Sequence, residues 1–161
     1  MYKRQGKNHE VDIALDPLEG TTITAKGMPN SLSVIAAAQR GGLLYAPDTY
    51  MNKIAVGGNL PDDIIDLDAT TNENIQSIAD AKKVPINEVT ACVLERSRHD
   101  SIIEDLRSIG AKIVLIPDGD VAGIIMTTQE HSSVDIYMGV GGAPEGVLAA
   151  AALQCLSLIH I

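Results

Sequence analysis

The sequence predicts an α/β fold whose C-terminal half is a mostly parallel sheet covered by helices on both faces. Three observations carry this. From residue 89 onward, short runs rich in Val, Ile and Leu alternate with segments of helical periodicity. Each apolar run is followed by a loop bearing charge or glycine, at residues 96–99, 118–120 and 141–146. Finally, 161 residues that are 45% hydrophobic suffice for one globular unit, and without Phe or Trp its core must be aliphatic.

Taken in order, residues 11–15 alternate Val, Ile and Leu with Asp and Ala, the period of a half-buried strand. Pro17, which has no N–H to donate, is expected to end its pairing. Residues 31–39 and 43–45 read as two strands joined by the Gly41-Gly42 turn, and residues 53–56 as a further extended piece. Thr71 is a predicted N-cap for a helix over 72–83, stopped by Pro85. There follow a strand at 89–94, a helix at 100–109 capped by Gly110, a strand at 113–116 and a helix at 121–127. A strand at 134–138 and a helix at 144–155 complete the alternation.

Composition removes several functions. A formal net charge of −9 opposes the counterion release that drives non-specific nucleic acid binding, and four Tyr provide no stacking platform. No apolar run approaches the roughly 20 residues of a membrane span. Cys92 and Cys155 stand far apart in apolar runs, as reduced core cysteines of a cytoplasmic protein would. No nucleophile elbow accompanies Ser97, His99 or Ser101, no Cys/His spacing fits zinc, and no Walker or Rossmann glycine spacing is present.

In open α/β sheets, ligands gather at the carboxyl ends of strands. Arg96 and Arg98 lie at one such end, where guanidinium groups and helix N–H groups converge on phosphate; a charged surface loop explains them equally well. His99 reads as a local hydrogen-bonding residue. Asp118 and Asp120 flank Gly119 at a helix start, where capping accounts for either acid alone. In the run Gly141 to Gly146, Glu145 lies where a helix dipole favours an anion. The stretch Asp16-Pro17-Leu18-Glu19-Gly20-Thr21-Thr22, by itself an ordinary acidic turn, could join Glu145 in a site of hard oxygen donors for Mg²⁺ or Mn²⁺.

As a set these motifs resemble a known family. Asp16-Pro17-Leu18-Glu19-Gly20-Thr21 is similar to the metal-binding signature of the inositol monophosphatase and fructose bisphosphatase superfamily. Residues 46–51 (Ala-Pro-Asp-Thr-Tyr-Met), 116–122 (Ile-Pro-Asp-Gly-Asp-Val-Ala) and 141–147 (Gly-Gly-Ala-Pro-Glu-Gly-Val) resemble the class II, GlpX-type fructose-1,6-bisphosphatases, in unbroken order from about residue 11 to 155. The resemblance implies a layered sugar-phosphatase-like fold, incomplete at both ends. It divides the chain into part of an N-terminal metal-binding α+β region over 6–59 and an α/β substrate-binding region over 60–155.

It also implies hydrolysis of the 1-phosphate of fructose 1,6-bisphosphate to fructose 6-phosphate and phosphate, in gluconeogenesis and glycerol metabolism. Carried over by position, Asp16, Glu19 and Glu145 are the implied ligands of Mg²⁺ or Mn²⁺, and Thr21 orients the attacking water. Glu19, Gly20, Thr21, Tyr50, Arg96, Ser97, Arg98, Asp118, Gly119, Asp120 and Gly142 are the implied substrate contacts, and Asp16, Glu19 and Thr21 the catalytic group. The implied partner is a phosphorylated sugar, with neither nucleic acid nor membrane, in a cytoplasmic homo-oligomer when intact. A related activity on sedoheptulose 1,7-bisphosphate or an inositol phosphate, and a non-catalytic sugar-phosphate binding module, are the alternatives.

Two departures accompany the resemblance. Ser97 stands where the family commonly has Pro, which leaves the arginine loop less rigid. Lys, Asp and Glu contributions upstream of the signature, and a long C-terminal part, are not in the chain, so this piece alone is expected to be inactive. Residues 1–5 and 156–161 match neither the pattern nor the caps of their neighbours and resemble translated sequencing adapter; they are expected to be non-native.

Overall fold

The computed structural model describes residues 10–58 and 60–156. Apart from Leu156, the segments expected to be non-native therefore lie outside the described residues. Six strands and five helices follow in the order β1 (Val11–Glu19), α1 (Thr21–Ala25), β2 (Leu32–Gln39), β3 (Tyr50–Val56), α2 (Thr71–Lys82) and β4 (Thr90–Leu94), then α3 (Asp100–Ser108), β5 (Lys112–Ile116), α4 (Asp120–Met126), β6 (Ile136–Gly142) and α5 (Ala143–Cys155).

The principal sheet runs β3-β6-β4-β5. β4 is parallel to both β5 and β6, as strand-helix alternation requires, whereas β3 is antiparallel to β6 with Tyr50 opposite Gly142. The sheet is thus mixed rather than parallel throughout. Its two faces are sorted by residue parity. Ile54, Val56, Ala91, Val93, Ile136 and Met138 pack against Ile75 and Ile78 of α2 and Ile103 and Leu106 of α3. Ala55, Cys92, Leu94 and Tyr137 face Val121 and Ile124 of α4 and Leu148, Ala149 and Leu153 of α5. Tyr137 is fully buried, and its hydroxyl has no partner among the described residues.

The helix pair α4 and α5 carries a second, thinner layer on its outer side. β1 and β2 form a two-stranded antiparallel sheet, and Ala14, Val34 and Ala36 pack onto the cluster beneath. The opposite face of this hairpin presents Val11, Ile13, Leu15 and Ile35, all more than half exposed.

Several sequence expectations need correction. β1 does not stop at Pro17: pairing continues to Glu19, with an irregularity between Asp16 and Glu19 that accommodates the missing donor. Residues 43–45 are not a strand. β2 pairs with β1 instead, and Asp12 Oδ2 accepts the Gly41 and Leu43 N–H groups, so the chain leaves β2 in an irregular loop with Leu44 and Tyr45 exposed. The α2 N-cap is Thr70, not Thr71. Thr70 Oγ1 accepts the Glu73 N–H while the Glu73 carboxylate accepts the Thr70 N–H, a reciprocal box set by the Glu three residues on.

Candidate functional site

The carboxyl ends of β4, β5 and β6 lie along one edge of the sheet, and the antiparallel pairing places the start of β3 there too. Tyr50, the 96–99 loop, the 118–120 turn and the 142–145 helix start therefore come together. The topology alone gathers these residues, since they are up to 95 positions apart in sequence (Tyr50 to Glu145).

The hairpin reaches this edge through the turn after β1. Gly20 has φ +83, a left-handed conformation that turns the chain from β1 into α1, and a Cβ there would stand 2.8 Å from Ile23 Cδ1. Two links then join the turn to the sheet. Thr22 N–H donates to Asp118 Oδ2 at 2.8 Å, and Val121 N–H, in the first turn of α4, donates to Glu19 Oε1 at 3.3 Å. Glu19 is thereby drawn to 3% exposure. Gly119, with φ +85, lets the backbone approach: a Cβ would meet Glu19 Oε2 at 3.3 Å.

Burial raises the Glu19 carboxyl to about 7, and the neighbouring carboxylates Asp120, Glu145 and Asp118 push the same way against the Val121 hydrogen bond. Glu145 is raised as well, first by burial and then by Asp120, with Lys53, the Gly142 N–H and Asp16 contributing in opposing senses. Glu145 Oε2 accepts the Gly142 N–H at 3.2 Å.

Lys53 was not singled out by the sequence, yet it occupies the centre of this cluster. Its Nζ lies 2.5 Å from Asp120 Oδ2 and 3.7 Å from Glu145 Oε2, and both Lys53 and Asp120 are almost fully buried. Gly141 makes room, for a Cβ there would be 2.4 Å from Asp120 Oδ2 and 3.0 Å from Lys53 Nζ. Lys53 follows the exposed Asn52 and opens the continuously buried run Ile54 to Val56, so it gives no periodic signal; its place opposite Gly139 on β6 accounts for its burial.

The arginines divide their tasks. Arg96 Nη2 stands 3.5 Å from Asp118 Oδ1, linking the loop to the acid that holds Thr22. Arg98 Nε donates to Val140 O at 2.8 Å, and its guanidinium lies 5.0 Å from the centroid of the Tyr50 ring. Ser97 is exposed between them. Thr21 is exposed at the start of α1, while Asp16 is half-buried and accepts the Leu18 N–H at 3.0 Å.

Among the described residues, no three His, Cys, Asp or Glu side chains stand close enough to cage a cation unaided. Two buried carboxylate oxygens, Glu19 Oε2 and Asp120 Oδ1, nevertheless have no hydrogen-bond partner there. Anionic oxygens left without a donor cost several kcal/mol of desolvation, so they fit a hard divalent cation as part of a shell rather than as a complete one.

The family described as bacterial fructose-1,6-bisphosphatase, glpX-encoded, matches residues 3–158. The chain is 43% identical over 151 residues to fructose-1,6-bisphosphatase 1 class 2 of Escherichia coli strain K12, and equally to fructose-1,6-bisphosphatase class 2 of Shigella flexneri. Each alignment covers 94% of this chain and 45% of the relative, so the chain spans less than half the length of the curated relatives it matches. With its signature turn, arginine loop and acidic helix start brought to one sheet edge, the chain belongs to the glpX-encoded bacterial fructose-1,6-bisphosphatase family.

Proposed function

We propose that this chain forms the substrate-facing part of a cytoplasmic, homo-oligomeric, metal-dependent phosphatase that releases the 1-phosphate of fructose 1,6-bisphosphate. The observation that carries the reading is the meeting of Glu19, Asp120 and Glu145 with a two-arginine loop at one edge, with two of the buried carboxylate oxygens unpartnered. Asp16, Glu19 and Glu145 would contribute part of the shell of Mg²⁺ or Mn²⁺, which would supply charge neutralisation at the phosphoryl oxygens and a more acidic bound water.

The chain's own residues do the rest. Arg96 and Arg98 hold the distal phosphate by charge-assisted hydrogen bonds, and Tyr50 braces Arg98 beneath it. Asp118, with Gly119 beside it, faces the sugar hydroxyls, and Asp120, buried against Lys53, braces the turn that presents it. Gly20 and Gly142 allow the backbone to close on the substrate. Thr21 orients the attacking water through its exposed hydroxyl.

The test is phosphate release from fructose 1,6-bisphosphate, with Mg²⁺ and with Mn²⁺, by the enzyme carrying this chain at its full length. Release with neither metal overturns the proposal, and a higher kcat/KM on sedoheptulose 1,7-bisphosphate would reassign the substrate. Thr21→Ala should lower kcat far more than it raises KM, because its contact forms with the attacking water.

A further inference from the structure

β4 and β6 are parallel neighbours only briefly. Their ladder consists of Ala91 opposite Ile136 and Cys92 opposite Tyr137, although β4 continues to Leu94 and β6 to Gly142. On its other side β4 stays paired with β5 as far as Leu94 opposite Ile116. The sheet therefore splits between β4 and β6 at its carboxyl edge, and buried backbone groups facing the split need other partners.

His99 fills it. The imidazole is 0% exposed, with Nδ1 2.8 Å from Leu94 O at the end of β4 and Nε2 2.8 Å from Val140 N on β6. A backbone N–H can only donate and a carbonyl can only accept, so both contacts are satisfied together by the neutral ring carrying its proton on Nδ1. Nε2 also lies 3.2 Å from Val140 O, but that carbonyl already accepts from Arg98 Nε at 2.8 Å. Gly139 provides the space: a Cβ there would stand 3.2 Å from Nε2. Arg98 and His99, adjacent in sequence, thus grip the two backbone groups of one residue, two positions before the Gly142 and Glu145 helix start.

We infer that His99 is a positioning residue, a side-chain bridge that replaces the absent β4–β6 ladder and sets the distance between the Arg96–Arg98 loop and the Gly141–Glu145 turn. Its functional half rests on the reading of the arginines as phosphate contacts. It makes the anion affinity of the loop depend on a hydrogen bond to β6 made by a fully buried ring.

The two links can be cut separately in the enzyme carrying this chain at its full length. In His99→Gln the side-chain oxygen can take the place of Nε2 and accept from Val140; in His99→Asn the amide can take the place of Nδ1 and reach only Leu94. The readouts are amide exchange at Val140 and the dissociation constant for inorganic phosphate followed by ³¹P NMR. His99→Gln should keep Val140 protected and hold phosphate within about twofold of wild type, whereas His99→Asn should lose that protection and weaken phosphate about fivefold, the equivalent of one hydrogen bond. Gly139→Ala, which presses on the ring without removing it, should loosen Val140 in the same direction and covers the case in which the His99 variants do not fold.

Protection of Val140 retained in both His99→Asn and Gly139→Ala overturns the bridge. Protection lost with phosphate affinity unchanged overturns the positioning role. If the wild-type full-length enzyme binds no phosphate, the phosphate reading falls, and a Val140 pattern as predicted still supports the bridge.

Discussion

The four-stranded sheet and the β1–β2 hairpin are built from similar residues and meet opposite fates. β4 is buried along its whole length, whereas β1 buries one face on α5 and leaves Val11, Ile13 and Leu15 in solvent. A strand covered on both faces carries its own stability; a strand covered on one borrows it from the layer below. The candidate site straddles the two, with Glu19 contributed by the hairpin and its hydrogen-bond donor Val121 by the helix beside the sheet. Its integrity therefore depends on how firmly the thinner layer is held down.

The largest effect that would break this contrast is expected at Lys53. Lys53→Met leaves Asp120 buried without its counter-charge and should cost about 3–5 kcal/mol in urea unfolding, with part of that recovered when Asp120→Asn is added. Unfolding free energy unchanged by Lys53→Met would show that the pair does not brace the edge. Next in size is the core itself: Ile75→Ala, at a fully buried α2 position, should cost about 2–4 kcal/mol.

Glu19 offers a pH test of the seam. Its folded-state carboxyl, raised from 4.5 to about 7, retains a proton that the unfolded chain has released. The folded state thus binds more protons between those values, so stability falls as pH rises through this window, by about 3 kcal/mol in total. Glu19→Gln should flatten that part of the profile. Added Mn²⁺ should raise Tm at pH 7.5 and have little effect near pH 5, where the carboxyl is protonated. The smallest effect belongs to the outer hairpin face: Ile35→Thr, at a 71% exposed site, should change stability by less than about 0.5 kcal/mol. A loss comparable to that of Ile75→Ala would erase the distinction between the two layers.

What the sequence made legible follows the same division. The strand-helix alternation after residue 89 was readable because each element is complete in itself: a β-branched run, a cap, a glycine. The antiparallel β3 and the hairpin were harder, since pairing partners are chosen by tertiary fit. Residues 43–45 had strand composition but lost their partner to β1. Among site residues, the charged and glycine-rich turns announced themselves. Lys53 and His99 did not, because their roles come from burial and from backbone groups across a split sheet, neither of which leaves a periodic mark. By sequence His99 is a local hydrogen-bonding residue, and its bond to Leu94 O is local, but its other partner lies on β6, 41 positions away.

Tyr137 adds a practical consequence. In a chain with no Trp or Phe, it is the single buried ring among the described tyrosines, Tyr45 and Tyr50 being exposed. Burial and the nearby Asp120 hold its phenol protonated well beyond the usual range. Alkaline titration watched by phenolate absorbance should therefore register Tyr137 only when the sheet opens. The ring is a built-in optical reporter, seated on the sheet face that backs α4 and α5, and it requires no label.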